Sequence, residues 1–155
     1  MKIPDEIFAV AKESVITLGR FQPTVFVLGT QGKVYMPLPF GETSDDRVAI
    51  MAQAGIQCAE AGRIGEVERI IFVSEAWVSP ARQSYTLPSQ DPNRQEVVLF
   101  NSLDARTNAQ ELEIYTCTRQ GRQVIDLKLL EQPRQSTVEG RLLPAFLAGF
   151  RLFKR

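Results

Sequence analysis

Histidine is absent from all 155 residues of the chain. That removes the base from Ser-His-Asp and Cys-His catalysis, and it removes the imidazole from every His-containing zinc site. Cysteine occurs twice, as Cys58 and Cys117. The pair shows no Cys-x-x-Cys spacing and no disulfide framework. Charge of one sign is lacking too: 18 basic residues balance 18 acidic ones, which argues against a dedicated nucleic-acid binder. Neither form of glycine-rich phosphate loop, Gly-x-x-x-x-Gly-Lys-Ser/Thr or Gly-x-Gly-x-x-Gly, is present. No apolar run reaches the length that spans a bilayer. The segment Met1–Glu6 has acidic residues and a proline where a secretory leader needs an apolar stretch. The expectation is a cytoplasmic protein with no cofactor and no metal. Any catalysis in it would rest on carboxylates, Arg, Lys, Tyr, Ser or a cysteine.

What is present suits one domain over residues 1–155, large enough to bury a core without staples. Pro4 fits a first helical turn, with Asp5 and Glu6 where the helix dipole favours anions. Ile7, Val10, Ala11, Ser14 and Leu18 recur at helical spacing up to Gly19, which predicts a helix over 4–18. Two β-prone runs flank Thr30-Gln31-Gly32. A turn centred on Gln31-Gly32 pairs Val27 with Met36, Val25 with Leu38 and Leu28 with Tyr35. Both faces of this hairpin are apolar, so both are expected to be covered. Pro37 lacks a ladder donor and favours an edge for the second strand. Thr43 and Ser44 are N-cap candidates for a helix over 44–62, with Asp45 and Asp46 in its first turn. Its stripe of Val48, Met51, Ala52, Gly55 and Ala59 is small enough for close approach to a sheet.

Val67–Ser79 alternates as a long strand. A polar loop from about 80 to 93 leads into a further strand at Glu96–Phe100. A last hairpin turning at Gln120-Gly121 pairs Ile114 with Leu127, Leu112 with Leu129 and Thr116 with Ile125. Its other face then pairs Glu113 with Lys128 and Tyr115 with Asp126. A linker over 132–141 precedes a C-terminal helix over 143–155, whose apolar face is Leu143, Phe146, Leu147, Phe150 and Phe153. The order α-β-β-α-β-β-β-β-α, with two hairpins and no βαβ alternation, predicts an α+β fold with a largely antiparallel sheet and helices packed on it. The order is similar to that of roadblock-like and profilin-like small regulatory domains, a likeness of topology with no shared motif.

Two sets of residues are candidates for function. The loop and its flanks would bring Glu75, Trp77, Asp91, Arg94 and Glu96 to one polar-molecule site if the third and fourth strands pair across it. The same residues also read as ordinary structure: Asp91-Pro92-Asn93 as turn chemistry, Arg94 paired with Glu75 or Glu96, and Trp77 packed beneath the loop. Read as an acid/base pair, Glu75 and Glu96 have no spacing that singles them out. Asp45 and Asp46 lack a third ligand at calcium-loop spacing. Cys117 lies two residues from Arg119, which could lower its pKa, though a lone strand cysteine is usually a small apolar residue. The second set, Phe26, Leu28, Tyr35, Phe146, Phe150 and Phe153, carries more apolar area than one small core needs. Surplus of that kind tends to be an interface. The expected function is a non-catalytic binding or assembly module that pairs with itself as a homodimer or with another protein. The alternative is a small enzyme or small-molecule binder at the 80–93 loop. Neither nucleic acid nor a membrane surface is an expected partner, since stable anchoring needs a second signal.

Overall fold

The computed structural model describes residues 3–39, 43–80, 95–130, 134–136 and 140–153. Its elements run α1 (Asp5–Leu18), β1 (Thr24–Gly29), β2 (Lys33–Pro37), α2 (Ser44–Ala61), β3 (Val67–Pro80), β4 (Gln95–Asp104), β5 (Gln110–Gln120), β6 (Gln123–Leu129), β7 (Arg134–Ser136) and α3 (Leu142–Phe153). This is the expected α+β order with one addition. Part of the supposed linker is the short strand β7, which pairs with Val78–Pro80 at the end of β3.

The helix ends form as their sequences dictate. The N–H of Gly19, in the left-handed region, donates to the Val15 carbonyl and closes α1. The Thr43 hydroxyl accepts from the Asp46 N–H at 3.1 Å, and Gly62 ends α2. The buried stripe of α1 is Ile7, Ala11 and Val15. Val10 and Leu18, expected on that stripe, are instead 50% and 70% exposed.

Six strands form the antiparallel path β2-β1-β3-β4-β5-β6. β2 lies at one edge, where Pro37 costs the sheet nothing. Both hairpins turn elsewhere than the sequence suggests. In the first, Val25 faces Met36, Phe26 faces Tyr35 and Val27 faces Val34, so the loop is Thr30-Gln31. The Thr30 and Gln31 N–H groups donate to the Glu66 and Ile64 carbonyls, at 2.9 and 2.8 Å. This clamp by a distant segment sets the turn one residue from the expected centre and shifts the pairing by two. An even shift leaves every side chain on its predicted face.

The last hairpin differs more. Gly121, at φ 64°, sits in a Gly121-Arg122 turn, and a bulge follows in which Ile125 has no opposite number. Tyr115 therefore faces Leu129 and Cys117 faces Leu127, while Thr116 faces Lys128. None of the expected Ile114–Leu127, Leu112–Leu129, Thr116–Ile125, Glu113–Lys128 or Tyr115–Asp126 pairs forms. The bulge swaps the faces of one strand relative to the other. As a result Tyr115, Cys117, Val124 and Leu127 meet α1, whereas Leu112, Ile125 and Leu129 are exposed.

The sheet separates two cores. On one face Val25, Val27, Ile70, Phe72 and Leu103 pack with Met51, Ala54 and Cys58 of α2 and Leu143, Phe146 and Phe150 of α3. On the other, Phe26, Ile71, Val73, Val98 and Phe100 pack with Ile7, Ala11 and Val15 of α1. The small residues of α2 serve a neighbour that was not expected. Gly55 lies against the Phe146 carbonyl, and Gly149 of α3 lies against the Ala52 carbonyl, so Ala52 and Gly55 admit a helix rather than the sheet.

Candidate functional site

The polar cluster forms in part. In the β3–β4 register Glu75 faces Val98 and Trp77 faces Glu96, so Glu75 and Glu96 share the α1 side of the sheet at its far end. The side chain of Trp77, and all of Asp91 and Arg94, lie outside the described residues. Glu96 is held by an arginine that the sequence reading had placed only beside Cys117. Arg119 Nε and Nη2 donate to the two carboxylate oxygens of Glu96, each at 2.6 Å. The same guanidinium donates to the Arg122 carbonyl at 2.6 Å and the Gly19 carbonyl at 3.3 Å. The Glu75 carboxylate accepts the Phe21 N–H. A bidentate pair that also anchors backbone is more rigid than an ordinary surface ion pair. Here it fastens the end of α1 and the α1–β1 connection to β3, β4 and β5. The signal for it was present: with Val97 opposite Thr116, Arg119 falls diagonally within reach of Glu96. That diagonal exists only once the register is known.

The electrostatics follow from this closure. Burial pushes the Glu75 carboxyl above its ordinary value of 4.5; the Phe21 N–H opposes the rise, Glu96 adds to it, and Arg119 and Arg20 offset it in part. The folded state therefore holds the Glu75 proton more tightly than the unfolded chain does. This contribution favours folding at pH below 4.5 and is lost as pH rises through the elevated folded value. Glu75→Gln stays neutral throughout while keeping an acceptor for Phe21. Its melting temperature is expected to gain on wild type as pH rises from 4 through the elevated Glu75 value, and to hold that lead at higher pH. Parallel melting curves for the two proteins over that range would remove the assignment.

The same surroundings decide the chemistry of Cys117. Its thiol is pushed up to about 12 by burial, then by Glu96 and Glu75, against which Arg119 pulls only weakly. The activating role considered for Arg119 is thus overturned, because that guanidinium is spent on Glu96. Burial also raises Cys58. Neither thiol should react with iodoacetamide at pH 8 in the folded protein, while both should react in denaturant; intact mass shows the difference. Rapid native alkylation of Cys117 would contradict this environment. Asp45 and Asp46 occupy the first turn of α2 beneath the Thr43 cap. Among the described residues, no three potential ligands converge on a point where a metal would sit.

The other candidate set divides by burial. Phe146 and Phe150 are 0% and 2% exposed and Phe26 is 8% exposed. Phe146 and Phe150 are core residues, so their apolar area is not available to a partner, while Phe26 keeps only a small part of its surface open. Tyr35 and Phe153 remain outside, at 69% and 49%.

Tyr35 lies at the centre of the edge strand. The Gly29 N–H donates to the Gly32 carbonyl and the Leu38 N–H to the Pro23 carbonyl, each at 2.8 Å. Between these bonds the register is one-for-one. Antiparallel alternation then turns the backbone groups of Gly32, Val34, Met36 and Leu38 toward β1, and those of Lys33, Tyr35 and Pro37 outward. Among the described residues, no strand pairs with that outer side. Along it run two apolar grooves. One, of about 300 Å³, lies between α1 and the hairpin and is lined by Ile7, Val10, Phe26, Leu28 and Tyr35, with the Lys33–Glu6 ion pair at its rim. The other, of about 420 Å³, lies between β2 and α2 and is lined by Met36, Leu38, Pro39, Ile50 and Ala54, with Gln53 and Gln57 of α2 adding amide groups. Sequence reasoning found Tyr35, Phe26 and Leu28. It missed Val10 and Ile50, which are placed at the edge by helix packing alone.

Comparison of the chain with protein-family models, with curated proteins and with solved structures finds no match. No helix among the described residues is long and apolar enough to cross a membrane.

Proposed function

We propose that this protein is a non-catalytic assembly module of the cytoplasm that pairs with a second copy of itself. One observation carries the reading: among the described residues no strand pairs with the outer edge of β2, which has the exposed Tyr35 at its centre and a groove on each side. Exposed edges are a liability that folded proteins usually blunt or pair, and added strands are held by main-chain bonds with alternate side chains in flanking pockets. A net charge of zero leaves no long-range repulsion between copies. The polar cluster supports the enzyme or small-molecule alternative less well, because Glu96 is already engaged by Arg119 and Glu75 by the Phe21 N–H. Light scattering is expected to return twice the 17.4 kDa chain mass at concentrations on the order of tens of micromolar, where an interface of moderate affinity is populated. A single-chain mass across that range would remove the proposal.

A further inference from the structure

We infer that two copies join edge to edge through β2, antiparallel, with the two-fold axis at Tyr35, so that their sheets become one. This rests on the self-association proposed above and specifies its geometry. A closed dimer uses the same patch on both copies, so the outer edge of β2 must complement itself. Only Lys33, Tyr35 and Pro37 present backbone outward, so the axis passes through one of them or through Val34 or Met36 between them. Centring on Val34 sets Met36 opposite Gly32 and the Pro37 carbonyl opposite Gln31, whose N–H already serves the Ile64 carbonyl. Centring on Met36 sets Tyr35 opposite Pro37 and Lys33 opposite Pro39, two prolines without an N–H. Centring on Lys33 sets two ammonium groups opposite each other, and like charges directly across a ladder destabilise it. Centring on Pro37 sets two residues without an N–H opposite each other.

Centring on Tyr35 avoids these conflicts and overlaps the whole of β2. The two Tyr35 residues exchange a reciprocal pair of main-chain bonds, and each Lys33 N–H meets the carbonyl of the partner's Pro37. On the α2 side, Val34 and Met36 of one copy fall opposite Met36 and Val34 of the other, beside the groove lined by Leu38 and Ile50. On the α1 side, where Tyr35 already lies 6.1 Å from Phe26 between ring centroids, the two tyrosines stand together. Each is then at the mouth of the groove lined by Val10 and Leu28. No charge is buried unpaired, since Lys33 keeps Glu6.

The test reads backbone and mass together on the full chain. Residue-resolved amide exchange is compared above and below the dissociation midpoint found by sedimentation. The Lys33 and Tyr35 amides are expected to slow by about tenfold or more on association, because only pairing protects them. Val34 and Met36, already bonded to β1, should not change. Tyr35→Pro removes the outward donor without removing any bond to β1, as Pro37 already does, and should give a folded monomer. Tyr35→Lys sets two cations at the axis and should do the same, which keeps the test valid if the proline variant fails to fold. A dimer that persists in either folded variant, or whose Lys33 and Tyr35 amides exchange freely, overturns the edge pairing and leaves self-association standing. A monomeric wild type removes both.

Discussion

Gly149→Ala and Gly55→Ala are each expected to lower stability by about 2 kcal/mol or more, although alanine is the better helix former by about 1 kcal/mol. The reason is what the new methyl group would meet. At Gly149 it would fall on the Ala52 carbonyl oxygen and 3.0 Å from the Ala52 carbonyl carbon; at Gly55 it would fall on the Phe146 carbonyl oxygen and 2.9 Å from the Phe150 nitrogen. Backbone atoms of a helix do not swing aside as the end of a long side chain does. The two helices must separate, and separation draws Phe146 and Phe150 out of the core they share with Phe72 and Leu103. Gly140→Ala is the control, since nothing among the described residues lies within 4 Å of its added carbon. Urea titration should show a lower midpoint for the two helix variants at unchanged slope, and little change for the control. Helix variants within about 0.5 kcal/mol of wild type would mean that α2 and α3 do not touch through these glycines.

Phe100→Ala is expected to cost about 4 kcal/mol, within the range for truncating a buried aromatic and a large share of a typical domain's stability. Phe100 is 0% exposed. Its ring lies 5.8 Å from Phe8 of α1 and 5.3 Å, edge-on, from Tyr115 of β5, while Phe8 and Tyr115 are 4.8 Å apart. The three rings join α1 to the middle of the sheet, and such pairs add to plain burial. The cavity would open beneath α1, so the amides of α1 should lose exchange protection before those of α2. Phe100→Leu, which refills most of the space, should cost clearly less. Equal loss in α1 and α2, or equal cost for the two substitutions, would show that this cluster does not hold α1. By the same reasoning Ile114, which is half-buried beside Val97 and Leu99, is a weaker site for truncation than a core-facing position would have been.

Most of the element list was legible because it depends on neighbours in the chain. The Thr43 cap, the glycine stops and the alternation of β3 each act within a few residues. The two-sided apolar character of β1 was legible for the same reason, and both of its faces are covered. The candidate sites were legible only as lists of residue types. Tyr35 could be named from sequence, but its exposure on the edge strand could not. Phe146 and Phe150 look the same in sequence whether they cover their own sheet or meet a partner, and the sheet claims them. Asp91 and Arg94 lie outside the described residues, so the loop reading is carried by Glu75 and Glu96 alone, and both are engaged.

The sequence by itself determined the α+β class, the order of helices and strands, and the edge position that Pro37 suits. These follow from periodicity, caps and missing donors, which are local. Tertiary structure alone decided the registers and the partners. β5 is apolar at Leu112 and Ile114 on one parity and at Tyr115 and Cys117 on the other, so alternation cannot choose its core face. Phe8 and Phe100 choose it by offering Tyr115 rings to pack against, and a bulge at Ile125 absorbs the mismatch. The first turn moved because its free N–H groups found the Ile64 and Glu66 carbonyls. Arg119 reached Glu96 rather than activating Cys117 because β4 and β5 are neighbours across a ladder, a proximity that spacing along the chain does not encode.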